Sequence, residues 1–184
     1  MTTPHTETMN DSYGVFTAPD TVKIERLMPG PIERLWAYLT EAEKRATWLA
    51  GGEMELRAGG PIEFVFNNSK LSGEAPPPEF AKYAGEKRKP GVVIECDPPR
   101  YLAYTWGDRP DEMETTFELT PRGNKVLLVV ITKRLETRPG KLGVSAGWHT
   151  HLEILAHRLE GTTPPSFWPR HTQLRSEYES HVPR

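Results

Sequence analysis

Residues 143–160 have the sequence GVSAGWHTHLEILAHRLE, and this stretch decides the fold. Its apolar side chains fall within a sector of about 80° when each residue turns the helix by about 100°. They are Val144, Trp148, Leu152, Leu155 and Leu159. Gly161 follows, and a left-handed glycine commonly ends a helix. The pattern predicts a long amphipathic helix over about 143–160 that covers another layer with one apolar face.

The opposite face of this helix carries polar residues. His149, Glu153 and His157 follow each other at a spacing of four, which indicates a solvated stripe rather than a metal site. His149 and His151 are two residues apart, so their side chains point about 200° away from each other. They cannot chelate one metal together, and we assign no metal site and no cofactor.

The chain contains 18 prolines, 14 of them upstream of this helix, and proline avoids helix interiors and central strands. Alternating apolar and polar residues between the interruptions predict strands. The strand candidates are 21–27, 53–57, 62–66, 92–96, 101–106, 113–119 and 126–132. After Pro31, apolar residues at helical spacing over 32–39 predict one short helix. Thr40 and Glu43 form a capping-box pattern for a second, which would end near Leu49.

The chain of 184 residues is of single-domain size. We expect a flexible arm over 1–20, a main domain over 21–162 with a loop or lid insertion at 73–90, and an extension over 163–184. The extension is predicted to contain a short helix with Leu174 and Tyr178 pointing inward.

Composition excludes several function classes. A net charge of −2 argues against a dedicated nucleic-acid binder. The sequence contains no run of about 18 apolar residues, so we expect no membrane span. The single cysteine, Cys96, excludes an internal disulfide and a multi-thiolate metal site. The start of the chain lacks the features of a secretory signal. We therefore expect a soluble cytoplasmic protein.

Residues 143–147 match G-x-S-x-G, the nucleophile-elbow pattern of serine hydrolases. That motif needs a strand leading into it and an acid that follows the serine. A loop with Pro139 precedes it here, and no Asp follows Ser145. The sequence thus favours a helix start with small residues, and no catalytic residue is assigned.

Aromatic residues occupy the apolar faces of the strand candidates, and Trp148 begins the apolar sector of the helix. An ordinary core is one interpretation. The other is a curved sheet around the helix that leaves a cavity between them. Arg26 shares the side of Val22 and Ile24, so it either lines this interior or ends the strand in water. The candidate lining residues are Trp48, Phe64, Phe66, Tyr104, Trp106, Phe117, Trp148, His151, Leu152, Leu155 and Arg26.

The order of elements resembles the helix-grip fold of the SRPBCC or START-like superfamily, in particular the bacterial homologues of the heat-shock-protein-ninety ATPase activator. The resemblance covers about residues 13–180. It rests on these segments: Val22 to Arg26, Pro31, Leu35-Trp36, Trp48-Leu49, Glu55-Leu56-Arg57, Gly59-Gly60, Glu95 to Pro99, Leu102, Tyr104 to Trp106, Thr116 to Leu119, Gly147-Trp148 and Phe167 to Pro169. It implies an α+β fold: a curved antiparallel sheet of six to seven strands wrapped around a long C-terminal helix, with two short helices after the first strand.

Members of this superfamily include lipid and hormone binders, polyketide cyclases and the C-terminal domain of the eukaryotic co-chaperone, so fold alone does not decide function. The first hypothesis is a binding module for a hydrophobic or amphipathic small molecule. The second is a chaperone-linked, stress-response partner protein. The third is a cyclase, dehydratase or hydrolase acting on an aromatic substrate, for which Arg26 and His151 are the candidate groups. Self-association as a homodimer is also left open.

Overall fold

The structure, a computed structural model, describes residues 9–184. One seven-stranded antiparallel sheet lies against the helices. The strands are β1 (Val15–Ala18), β2 (Thr21–Pro29), β3 (Pro61–Phe66), β4 (Lys87–Asp97), β5 (Tyr101–Thr105), β6 (Glu114–Arg122) and β7 (Lys125–Lys133). The helices are α1 (Ile32–Thr40), α2 (Ala42–Arg45), α3 (Arg138–Glu160) and α4 (Phe167–Tyr178). Within these residues, no helix has both the length and the apolar character that crossing a bilayer requires.

The sheet has the order β1-β2-β7-β6-β5-β4-β3, and all neighbouring strands run antiparallel. Consecutive strands pair with each other from β3 to β7, whereas β2 pairs with β7, which is far from it in sequence. Helix α3 crosses the sheet near β2. The predicted α+β helix-grip fold, with two short helices after an early strand, is confirmed.

The long helix α3 buries the face that the sequence predicts, with Trp148, Leu152 and Leu155 in the core. It begins at Arg138, five residues before the predicted start. Thr137 is the reason, because its Oγ1 accepts a hydrogen bond of 3.1 Å from the backbone N–H of Gly140. Pro139 is tolerated because it lies in the first turn, where N–H groups lack helical partners.

Two local expectations are wrong. Residues 53–57 form no strand, since only Met54 makes an isolated bridge, to Ile62. Thr40 caps no second helix: its Oγ1 donates to the carbonyl of Trp36, one turn earlier in α1. In both places tertiary contacts override a short local sequence pattern, which is common for elements of only a few residues.

The predicted N-terminal arm lies partly outside the described residues, which begin at Met9. Within the described part, Val15–Ala18 forms β1 on the edge of the sheet instead of a free arm. The strand is anchored by its neighbours: Gly14 donates its N–H to the Tyr178 hydroxyl, and the Tyr13 hydroxyl donates to Glu177. These contacts join residues 164 apart in sequence, so the local pattern could not predict them.

Helix α4 packs along α3 and buries part of its predicted polar stripe. Leu174 and Tyr178 both point inward. His149 was expected in water, and this is wrong: only 4% of it is exposed, and its Nδ1 lies 2.9 Å from the Tyr178 hydroxyl. The periodicity of α3 predicts its most apolar face but does not indicate that a second helix covers another face.

The predicted insertion at 73–90 packs against the molecule. Asn68–Leu71 and Pro78–Tyr83 form short 3-10 helices, and β4 begins at Lys87. The rings of Phe80 and Tyr83 stack on Trp168 of α4 at centroid distances of 5.7 and 6.5 Å. This segment therefore connects the β3 end of the sheet to the C-terminal helix.

Candidate functional site

Aromatic rings from β3, β5, β6 and α3 meet in the interior because side chains on one face of a strand recur at every second residue. We call this group the aromatic cluster. Its members are Phe64, Tyr104, Trp106, Phe117 and Trp148, and each is at most 6% exposed. The rings contact each other directly: the Phe64 and Trp106 centroids lie 4.4 Å apart, and those of Phe117 and Trp148 lie 5.5 Å apart. Side chains therefore occupy the interior between sheet and helix.

Buried threonines hold the two tryptophans of the cluster in place. Trp106 Nε1 donates to Thr115 Oγ1 at 2.8 Å, and Trp148 Nε1 donates to Thr132 Oγ1 at 2.9 Å. The two threonine hydroxyls lie 2.8 Å apart and bond to each other. Both indole N–H groups are thus satisfied, as buried polar groups usually are.

A glycine makes room for the Phe64 ring. A Cβ on Gly91, in the neighbouring strand β4, would lie 2.6 Å from the Phe64 ring and 2.6 Å from the backbone oxygen of Thr105. Any larger residue would displace either the ring or the strand. The absence of a side chain at this position therefore lets Phe64 lie over β4 and reach Trp106.

Tyr104 carries a polar atom in the middle of the cluster that has no partner. Its hydroxyl is buried and makes no hydrogen bond within residues 9–184. Burial raises the pKa of Tyr104 well above its usual value, opposed in part by the charge of Arg45. The group is therefore a neutral hydroxyl, able to donate one hydrogen bond and to accept others.

The other predicted lining residues surround the cluster. Leu152 and Leu155 are fully buried, and Phe66, half-buried, has its centroid 5.8 Å from that of Trp106. Trp48 is buried, and its Nε1 donates to the carbonyl of Tyr38 at 2.7 Å. Phe66 is thus the most solvent-accessible ring of the predicted site.

His151 is held by the backbone. Its Nδ1 lies 2.7 Å from the carbonyl oxygen of Trp48, and because a carbonyl only accepts, Nδ1 carries the proton. Burial lowers its pKa to about 4. The Phe167 ring lies 5.0 Å from its own. His151 therefore fixes the loop after α2 to α3 as a neutral side chain.

Arg26 does not join the aromatic cluster. It lines a separate pocket of about 170 Å³ between β2, α3 and residues 10–11. Its Nη1 donates to the carbonyls of Glu25, at 2.8 Å, and Met9, at 3.2 Å. Its Nη2 is buried without a partner in the described chain. The hypothesis that Arg26 and His151 act on one substrate thus lacks a shared site, because His151 contacts Trp48 on another side of α3.

A second pocket, of about 450 Å³, lies at the outer end of the sheet, where the β6–β7 turn meets the start of α1. Pro31 and Asn124 line it, and no residue of the aromatic cluster does. Within residues 9–184, no group of three or more His, Cys, Asp or Glu side chains is arranged to hold a metal ion.

Sequence reasoning missed Arg45, a fully buried arginine between α2 and β3. Its Nε donates to the carbonyl of Ala50 at 2.9 Å and its Nη1 to that of Thr40 at 3.0 Å. Its Nη2 donates to the carbonyls of Gly51 and Gly52. It therefore organises the loop that leads to β3. The sequence shows only a charged residue at the end of a short helix, and such residues are usually exposed. The pattern therefore did not indicate a buried arginine.

A curved antiparallel sheet crossed by a long helix, with a ring-lined interior, defines the class of SRPBCC-type helix-grip proteins. Within that class, the family described as "Activator of Hsp90 ATPase homolog 1-like protein" matches residues 29–160. The chain belongs to this family, and the predicted resemblance is confirmed.

Solved structures share this fold. A Bordetella parapertussis protein solved by solution NMR is 40% identical, with a TM-score of 0.80 over 100% of this chain and 97% of that one. CalU16 from Micromonospora echinospora shares the fold at 18% identity and a TM-score of 0.67, over 94% and 97% of the two chains. A conserved protein of Enterococcus faecalis shares it at 21% identity and a TM-score of 0.65, over 94% and 90%. A comparison with curated proteins found no match.

Proposed function

We propose that this protein binds a hydrophobic or amphipathic small molecule between the sheet and α3, at the aromatic cluster. The observation that carries the proposal is the Tyr104 hydroxyl, which is buried among rings and has no hydrogen-bond partner in the described part of the chain. A buried polar group without a hydrogen bond costs about 1–3 kcal/mol. A ligand with one polar atom and an aromatic or aliphatic body would satisfy that hydroxyl while its body contacts the rings.

Binding at this position requires the rings to move apart, because they contact each other in this structure. Phe66 is the half-buried ring next to Phe64, at a centroid distance of 6.0 Å, so we expect a ligand to enter beside it. Rings in offset or edge-on contact contribute about 0.5–1.5 kcal/mol per pair beyond their buried area. A flat ligand that inserts between them replaces such contacts with similar ones, so the cost of opening is offset.

Naphthalene and 2-naphthol provide the test, because they differ by a single hydroxyl. Both are titrated into the full chain, with binding followed by tryptophan fluorescence and native mass spectrometry. The wild-type protein is expected to bind 2-naphthol about tenfold more tightly than naphthalene, since one hydrogen bond contributes about 1.4 kcal/mol here.

Tyr104→Phe should remove this difference and leave naphthalene binding unchanged. Tyr101→Phe is the matched control, because Tyr101 lies on the same strand but is only half-buried. The proposal fails if neither compound binds, or if Tyr104→Phe retains the preference for 2-naphthol.

A chaperone-linked role is the second candidate, and the name of the matched family supports it. Its test is the steady-state ATPase rate of the bacterial ninety-kDa chaperone with increasing amounts of this protein. A saturable rise in the rate supports this role. An unchanged rate, together with no complex in size-exclusion chromatography, rules it out.

A further inference from the structure

The pocket around Arg26 is separate from the aromatic cluster and has the features of a binding site. Its floor is β2 with Arg26, its long wall is α3, and Asn10 closes one end. Asn10 is fixed there by two hydrogen bonds to Leu27 of β2: its Oδ1 accepts from the N–H at 2.7 Å, and its Nδ2 donates to the carbonyl at 3.0 Å. The pocket is thus built by long-range contacts and does not result from a loose surface loop.

Arg26 brings a buried positive charge into this pocket. The side chain is 3% exposed, and its Nη2 has no hydrogen-bond partner within residues 9–184. Arg45, the other fully buried arginine described above, uses Nε, Nη1 and Nη2 on backbone carbonyls. A buried charged group normally finds partners for all its donors. The unused donor of Arg26 is therefore a vacant position for an acceptor, and a carboxylate is the natural acceptor for a guanidinium.

His149 offers a second donor in the same pocket. The Tyr178 hydroxyl accepts a hydrogen bond of 2.7 Å from Gly14, so its own proton is free to point at His149 Nδ1, 2.9 Å away. His149 then carries its proton on Nε2. Burial, together with the charges of Arg26 and Arg170, keeps this ring neutral by lowering its pKa to about 3. His149 can thus donate a hydrogen bond without adding a charge.

The charges nearby limit the ligand to one negative charge. Glu153 lies 2.7 Å from Arg170 and is paired with it. Asp11 and Glu160, both exposed, also line the pocket. Arg170 lines the pocket as well, so its pair with Glu153 adds no net charge. The exposed carboxylates of Asp11 and Glu160 would repel a doubly charged phosphate more strongly than a monocarboxylate, whose single charge matches the guanidinium of Arg26. Leu152 and Ala156 form the apolar part of the wall and suit a short alkyl chain.

We propose that the pocket formed by Arg26, His149, Leu152, Ala156 and Asn10 binds a small aliphatic monocarboxylate. The carboxylate accepts from Arg26 Nη2 and from His149, and the alkyl chain lies against Leu152 and Ala156. A volume of about 170 Å³ accommodates about five or six heavy atoms at about 30 Å³ each. The site neither includes Tyr104 nor depends on it, so this proposal goes beyond the function proposed above.

Sodium butyrate is the probe, titrated into the full ¹⁵N-labelled chain at low chloride and followed by amide chemical shifts. We expect saturable shifts that are centred on residues 26–27 and 149–156. Butyramide, which has the same shape and no charge, should bind at least tenfold more weakly, and so should inorganic phosphate. Equal binding of butyramide would overturn the role of the charge, and equal binding of phosphate would overturn the preference for a monocarboxylate.

Two variants locate the butyrate. Arg26→Gln should weaken binding at least tenfold, while Arg122→Gln, which removes an exposed arginine from β6, should leave it unchanged. Ala156→Met fills the pocket without changing any charge and should also weaken binding at least tenfold, so the test survives if Arg26→Gln does not fold. Binding that persists in Ala156→Met, or that Arg122→Gln weakens equally, contradicts the proposal. Tyr104→Phe should bind butyrate as the wild type does, which separates this result from the test of the aromatic cluster.

Discussion

The loop around Arg45 and the pocket around Arg26 each contain a buried arginine. The two arginines differ in what their guanidinium groups contact. Arg45 donates from three nitrogens to four backbone carbonyls and fixes a loop. Arg26 donates from Nη1 to two carbonyls, and its Nη2 has no partner within residues 9–184. Burial lowers the pKa of both arginines. A buried arginine whose donors all have hydrogen-bond partners stabilises the fold, whereas a buried arginine with an unused donor is a candidate for binding a ligand.

Replacing Arg45 should have the largest effect on stability. Arg45→Met leaves the carbonyls of Thr40 and Ala50, which are buried, and of Gly51 and Gly52, which are half-buried, without their donor. We expect a loss of about 3–5 kcal/mol in the free energy of unfolding, measured by urea denaturation. A loss below about 1 kcal/mol would show that water reaches these carbonyls and that the comparison between the two arginines is wrong.

Acid should destabilise the protein through His149, next to Arg26. Its folded-state pKa of about 3 lies below the ordinary 6.5, so the unfolded chain binds a proton that the folded chain excludes. This part of the stability is complete above about pH 6.5 and is lost as the pH falls toward 3, by about 1.4 kcal/mol per pH unit.

Urea denaturation at a series of pH values measures this slope. His149→Asn keeps an acceptor for the Tyr178 hydroxyl but cannot titrate, so it should reduce the slope between pH 4 and 6 by about 1.4 kcal/mol per unit. His157→Asn, on the same helix but outside this hydrogen-bond network, is the control. Equal slopes in wild type and His149→Asn would mean that His149 is not kept neutral by burial.

Tyr104 and Tyr178 extend the comparison to two buried hydroxyls: that of Tyr178 bonds to Gly14 and His149, and that of Tyr104 has no partner from Met9 onward. Tyr104→Phe removes an unsatisfied group and should stabilise the protein by about 1 kcal/mol, while Tyr178→Phe leaves Gly14 N–H and His149 unpaired and should destabilise it by about 1–3 kcal/mol. Thermal and urea unfolding measure both. A destabilising Tyr104→Phe would indicate a bound water or another partner on that hydroxyl.

Replacing Arg26 should have the smallest effect. Arg26→Met loses hydrogen bonds to two carbonyls but also removes the cost of burying an incompletely paired charge. The two changes oppose each other, and we expect the free energy of unfolding to stay within about 1 kcal/mol of the wild type in urea without added ligand. A loss close to that of Arg45→Met would show that Arg26 has a structural role and would weaken the binding hypothesis.

The sequence predicted the parts of the candidate site that depend on local periodicity. Alternation placed Phe64, Tyr104 and Phe117 on inward faces, and helical spacing did the same for Trp148 and Leu155. It could not predict that the rings contact each other, because packing depends on distances between strands that are far apart in sequence. Strand alternation left Arg26 either lining the interior beside these rings or ending the strand in water, whereas the fold places it against α3 in a separate pocket.

The sequence by itself determined which segments alternate as strands and which face of α3 is apolar, because periods of two and of about 3.6 residues are properties of a single segment. The helix-grip architecture followed from the resemblance to a known family. Only the tertiary structure decided that β1 joins the sheet and that α4 covers His149. It also decided that Nη2 of Arg26 has no partner within the described residues, where every side-chain nitrogen of Arg45 has one. Burial and hydrogen-bond satisfaction depend on which distant segments meet, and no local pattern contains that information.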